Sequence, residues 1–315
     1  MASDELRQAA ERFRSLRAAG TPPVIDITMR RQGFEAAAPS VPSDVTLTAT
    51  SAGGVPADWV VAPGAGASRR LLYLHGGGYT VGSRVSHRRL AADISRATGC
   101  VVLNLDYRLA PEATFPAAVE DAVAAYRWMR ANGPGGAAEA AATFIAGDSA
   151  GGGLTLTTML ALRDAGDPLP NAAITLSAWT DLAGTGESLE TRAAVDPVFT
   201  GGGEVIRQAG LIYAGGADPS TPLISPLYAD LAGLPSLLMQ AGDAEILLDD
   251  TLRLAGRARA HGVDVTLHVE PDAFHVYPFF APDAPESKTA LEQIGAFVRR
   301  HGGVGEAQVP AAADG

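Results

Sequence analysis

Short apolar runs alternate with amphipathic stretches along most of this chain. Leu71–Leu74, Val101–Leu105, Thr143–Ala146, Ala172–Leu176, Ser236–Gln240 and Val263–Val269 each read as a strand. Between and after them, residues 86–97, 116–131, 150–164, 247–260 and 286–300 read as helices. In the last of these, Leu291, Ile294 and Val298 share one face, the mark of a helix packed on a core. Upstream, Val45–Thr50 and Trp59–Val61 flank Gly53-Gly54, which predicts a hairpin. Strands that alternate with helices predict an α/β protein, with a mostly parallel sheet covered on both faces.

Two segments do not fit the alternation. Residues 4–18 read as a helix with Leu6, Ala9, Phe13 and Leu16 on one face, and residues 19–42 contain proline and lack a clear period. Residues 182–218 lie between two strand candidates and hold helical fragments around 187–193 and 204–213. That is too long for an ordinary connection. The two segments are expected to form a helical cap over the carboxyl ends of the strands, where open α/β sheets bind ligands. The expected organisation is a cap segment 1–45, a catalytic domain 46–301 with the insert 182–218, and a disordered tail 302–315 rich in Ala and Gly.

Composition narrows the function classes. The chain has 315 residues, 47% hydrophobic and 19% charged, which are globular values. A net charge of −11 argues against nucleic acid or an anionic membrane as partner. Cys100 is the single cysteine, so no internal disulfide exists, and it is expected to pack as a small hydrophobe. The start of the chain is charged and amphipathic, and no apolar run approaches the length of a membrane span. A cytoplasmic protein without stable membrane insertion is the expectation.

The candidate chemistry begins at Gly147-Asp148-Ser149-Ala150-Gly151. An apolar strand precedes it and a helix of small residues follows, so Ser149 sits at the apex of a sharp strand-to-helix turn. G-x-S-x-G in that setting is a nucleophile elbow. An acyl-transfer enzyme also needs a base, an orienting acid and an oxyanion site. His75-Gly76-Gly77-Gly78-Tyr79 follows a strand, and its glycines leave backbone N–H groups free to converge on a developing negative oxygen. Alone, it reads equally as a flexible turn. The base should follow the serine and the acid in the chain. His75 and His87 precede Ser149, His261 ends a helix, His268 lies in a strand pattern and His301 borders the tail. His275 follows the last strand in a loop and is the best placed. The acid should follow the strand Ser236–Gln240, where Asp243, Glu245, Asp249 and Asp250 compete. Asp249 and Asp250 sit where the next helix starts and are expected to cap it. Between Asp243 and Glu245 the residues alone leave the choice open.

His75–Tyr79, Gly147–Gly152, Asp272–Val276 and the run Asp106-Tyr107-Arg108-Leu109-Ala110-Pro111-Glu112 occur in an order that resembles the bacterial hormone-sensitive-lipase family (family IV) of esterases. The resemblance covers about residues 45–300, and within the family the chain looks most like the monoterpene ε-lactone hydrolases. It implies the α/β-hydrolase fold and a serine carboxylesterase acting on short- to medium-chain esters, or a lactone hydrolase. The family's Asp-Pro-Leu-x-Asp run matches Glu245-Ile246-Leu247-Leu248-Asp249, which puts Glu245 at the acid position with Glu for Asp and no proline. The family's oxyanion donors map to the N–H groups of Gly77, Gly78 and Ala150. Its Tyr-Arg-Leu-Ala-Pro-Glu run is structural. The resemblance implies no cofactor and no metal, a small-molecule ester or lactone as substrate, and a homodimer paired through an edge strand near Val263–Val269. A non-catalytic receptor on the same fold is the rival reading; the gibberellin receptors lack the histidine that His275 supplies here. Tyr79, Phe199 and Tyr213 are candidate pocket-lining groups.

Overall fold

The structure, a computed structural model, describes residues 2–18, 26–199 and 202–303. Eight strands form one sheet: β1 (Thr46–Ala52), β2 (Val55–Val61), β3 (Gly66–Leu74), β4 (Cys100–Leu105), β5 (Ala142–Asp148), β6 (Ala172–Leu176), β7 (Ser236–Gly242) and β8 (Val265–Glu270). Their order is β1-β2-β4-β3-β5-β6-β7-β8. The predicted hairpin forms, with Ala52 opposite Val55 across the two glycines. β2 runs antiparallel to both its neighbours, and all later pairings are parallel.

The central strands β4, β5 and β6 are buried at every position because both faces of the sheet are covered there. Alternate residues serve alternate layers. Leu72 and Leu74 belong to the core layer that also holds α4 (Ala117–Ala131), α5 (Ala150–Asp164) and α8 (Leu248–Ala260). Leu71 and Tyr73 pack on the other face with α3 (Arg88–Thr98) and α10 (Pro285–His301). Each fully buried large side chain contributes roughly 1.5–3 kcal/mol relative to exposure. Cys100 is fully buried in the second layer beside these residues, as its expected packing role requires.

The two exceptional segments are helical. α1 (Asp4–Ala18) docks through Leu6, Ala10 and Phe13 against Phe274, Tyr277 and Phe280. Leu16, expected on the buried face, is 62% exposed. Docking extends along α1 as far as Phe13, and among the described residues nothing covers Leu16. Within the stretch read as aperiodic lies α2 (Ile27–Ala36), begun by Asp26, whose side chain accepts the Thr28 N–H at 2.6 Å. This N-cap was a legible signal that the weak apolar period hid. Residues 19–25 and the tail beyond 303 lie outside the described residues. The insert carries α6 (Ser188–Thr191) and α7 (Gly202–Ala214), close to the two predicted fragments.

Candidate active site

Ser149 is held at the end of β5 with φ 52° and ψ −120°, a strained backbone for a residue with a Cβ. The turn survives because both sides hold it. The Ser149 N–H donates to Leu176 O at 2.8 Å, and Ser149 O accepts from Trp179 N and Gly153 N. Gly151 lets α5 approach β3; a Cβ there would lie 2.0 Å from Leu74 O. The Ser149 hydroxyl therefore projects from the carboxyl end of the sheet and lies 2.9 Å from His275 Nε2.

His275 comes from the loop after β8, just before α9 (Tyr277–Phe280). Its Nδ1 faces Glu245 Oε1 at 3.7 Å. Both atoms are buried, and among the described residues neither has a hydrogen-bond partner, so each is the other's available complement. Catalytic hydrogen bonds of free enzymes are often long and tighten in the complex. The second Glu245 oxygen is fixed: Oε2 accepts from Ser177 Oγ at 2.7 Å and from Gly242 N at 2.9 Å. Ser177 Oγ also accepts the Val276 N–H at 3.0 Å. One hydroxyl thus joins the acid loop to the histidine loop. Ser177 was missed from the sequence; its one signal is a polar residue at the carboxyl end of β6, the edge where such sheets build their sites.

The competing carboxylates have other tasks. Asp243 Oδ1 accepts the Asp272 N–H at 2.7 Å at the surface, closing the turn before the histidine. Asp249 and Asp250 were expected to cap α8, and they do not. Asp249 Oδ2 accepts from Ser188 N at 2.8 Å, and Asp250 Oδ2 from the N–H groups of Thr180 and Asp181 at 2.7 and 2.8 Å. Ser188 in the insert, and Thr180 and Asp181 just before it, bring N–H groups within reach, and these win over the helix's own first turn. Burial pushes the Asp250 carboxyl up to about 8, against the pull of the Thr180 N–H.

The glycine loop is tied directly to the elbow. Asp148 Oδ1 accepts from Gly76 N at 3.0 Å and from the Tyr73 hydroxyl at 2.6 Å. Burial opposes ionisation of Asp148, but His87, Tyr73 and His75 outweigh it and hold the carboxyl below its ordinary value. His75 is driven down to about 3, first by burial and then by His87, so it is neutral. Its ring stacks on Tyr107 at 4.2 Å, and the Tyr107 hydroxyl donates to His75 O at 2.6 Å. Gly77 has φ 117°, and a Cβ there would lie 2.2 Å from Val81 O. Among the described residues, the N–H groups of Gly77, Gly78 and Ala150 donate to no backbone carbonyl outside regular elements. Gly77, Gly78 and Ser149 border one cavity.

That cavity has a volume of about 280 Å³. Its walls are mostly apolar, including Phe34, Trp179, Phe199, Ile206, Leu247 and Phe279, with Arg30 as the one arginine in its lining. Phe34 and Arg30 come from α2 and Ile206 from α7, so both exceptional segments help enclose Ser149. α2 has no buried residue of its own. Arg31 anchors it, donating to Thr80 O at 2.8 Å, Ala110 O at 3.0 Å and both oxygens of Glu112. Of the three aromatic candidates only Phe199 lines the cavity; Tyr79 and Tyr213 stack on each other at 3.7 Å, both buried. A larger cleft of about 550 Å³ lies by α1, lined by residues such as Arg14, Arg192 and Asp243, and holds none of Ser149, His275 or the glycine loop.

Comparison with known proteins shows the family and the fold. Residues 71–279 match the model of a family described by the alpha/beta hydrolase fold. A solved esterase from the bacterial hormone-sensitive lipase (HSL) family superposes with a TM-score of 0.89 at 45% identity, covering 96% of this chain and 100% of that one. The chain belongs to the hormone-sensitive-lipase family of α/β-hydrolases. Its class is carboxylic ester hydrolase. An acetyl-hydrolase of Streptomyces hygroscopicus is 45% identical over 266 residues, 84% of this chain and 85% of that protein. An esterase of Acinetobacter venetianus is 33% identical over 235 residues, 74% and 75% of the two chains. The family and fold expected from the motifs are thereby borne out. Among the described residues no helix is long and apolar enough to cross a membrane.

Proposed function

We propose that this hydrolase cleaves short- to medium-chain carboxylic esters through an acyl-enzyme on Ser149. The observation that carries the reading is the 2.9 Å approach of Ser149 Oγ to His275 Nε2 beside a small apolar cavity. Ser149 Oγ attacks the acyl carbon while His275 Nε2 takes its proton. Glu245 holds the imidazole with its proton on Nδ1 and stabilises the imidazolium that forms. The oxyanion is received by the N–H groups of Gly77, Gly78 and Ala150. Collapse breaks the ester C–O bond, and His275 returns the proton to the leaving alcohol. Water, deprotonated by the same histidine, then attacks the acyl-enzyme and frees the acid and Ser149. The balance is closed by protein groups and water, and no cofactor or metal takes part.

The chain-length preference follows from size. A cavity of about 280 Å³ is at the small end for small-molecule sites, which begin near roughly 300 Å³. The segments 1–45 and 182–218 are proposed to act as the cap that limits acyl length and excludes water. Across p-nitrophenyl esters of graded chain length, kcat/KM should peak at short or medium acyl groups and fall steeply for long ones. A profile that rises steadily to long chains would reject the size argument.

The proposal includes a cytoplasmic homodimer. Among the described residues β8 has a strand on one side only, and an uncovered edge is a liability that pairing removes. Light scattering at micromolar concentration should return twice the chain mass of 32.3 kDa; a monomer alone would reject it.

A further inference from the structure

We infer that Asp196 is a positioning residue: from the insert 182–218 it fixes the acid loop and sets a second buried negative charge beside the His275 imidazole. This rests on the triad reading above. Asp196 lies between α6 and α7, is 1% exposed, and is far in sequence from every motif. Its Oδ2 accepts the Ile246 N–H at 2.9 Å, the peptide directly after Glu245. Its Oδ1 accepts the Val198 N–H at 2.9 Å, closing the turn that brings the Phe199 ring to 4.8 Å from the His275 ring. One carboxylate therefore constrains the neighbours of both the acid and the base.

The clamp uses both carboxylate oxygens, one for each N–H group; an amide could supply only one of them, because its NH₂ would face the other donor. Among the described residues no arginine or lysine pairs with Asp196, and its hydrogen-bond donors are backbone N–H groups. An isolated buried carboxylate is costly. Burial accordingly raises its carboxyl above the ordinary value, and His275 is the strongest influence pulling it down. The imidazolium formed during catalysis is the partner this carboxylate otherwise lacks. The charged groups around His275 are Glu245 at 3.7 Å and Asp196, with Asp148 and Arg30 in the lining of the same cavity.

The test compares wild-type protein with Asp196→Asn, which keeps size and one of the two acceptor oxygens, by the pH profile of kcat/KM for p-nitrophenyl butyrate. The acidic limb of that profile reports the base of the free enzyme. Loss of a neighbouring negative charge disfavours the imidazolium, so the limb should move to lower pH by about half a unit to one unit. A limb that stays in place overturns the inference, whatever happens to kcat, because a structural clamp lowers the rate without moving the limb. Carbon-13 NMR of the Asp196 carboxyl in the wild-type protein needs no substitution. Its resonance should shift as His275 titrates, and indifference to that titration overturns the inference equally. Failure of the triad reading would show itself separately, as activity retained by Ser149→Ala.

Discussion

Ser149→Ala is expected to lower kcat by about 10⁴- to 10⁶-fold while leaving the protein folded. The side chain's one polar contact among the described residues is with His275, and the elbow is held by backbone bonds and close glycine packing that the substitution spares. A fluorophosphonate probe should add a single label to the wild-type chain, on Ser149, and none to the variant. Labelling of another serine, or an alanine variant with ordinary activity, would remove Ser149 as the nucleophile.

Glu245→Gln is expected to cost about 10⁴-fold in kcat, by analogy with the amide replacement of the orienting aspartate in serine proteases. The geometry says why. The Ser177 hydroxyl and Gly242 N–H both require an acceptor at the Oε2 position, so the amide oxygen takes that side. The amide NH₂ then faces His275 Nδ1 and favours the wrong tautomer. Asp243→Asn should stay within a few-fold of wild type, because among the described residues the Asp243 side chain bonds only the surface turn at Asp272. Equal losses in the two variants, or a larger one at Asp243, would move the acid to the other carboxylate.

The parts of this site that were legible in the sequence are those whose geometry is local. Ser149 and the glycine loop each sit in a strand–turn context that five consecutive residues define, and His275 follows from chain order and loop placement. The acid was harder. Asp243 and Glu245 share a loop, and residue chemistry alone could not rank them; the match to a family run favoured Glu245, and the 3.7 Å approach to His275 agrees. Ser177, Asp196, Asp249 and Asp250 act across 50 or more positions of sequence, through single hydrogen bonds that leave no periodic trace. Leu16 shows the opposite failure: an amphipathic period predicts a face fit for burial, but only the docking partner decides how far along the helix burial extends.

The anchoring of α2 bears on how this enzyme could diversify. Two of the acceptors that hold Arg31 are main-chain carbonyls, Thr80 O and Ala110 O, which exist whatever side chains those positions carry. The rest of the helix contributes no buried residue. Of its cavity-lining positions, Arg30 takes no part in that anchor, whereas Phe34 also stacks on Phe279 and His87. Selection, or a library that keeps Arg31 and randomises Arg30, can rewrite that part of the pocket wall as an exchangeable cassette while the hydrolytic machinery beneath is left untouched.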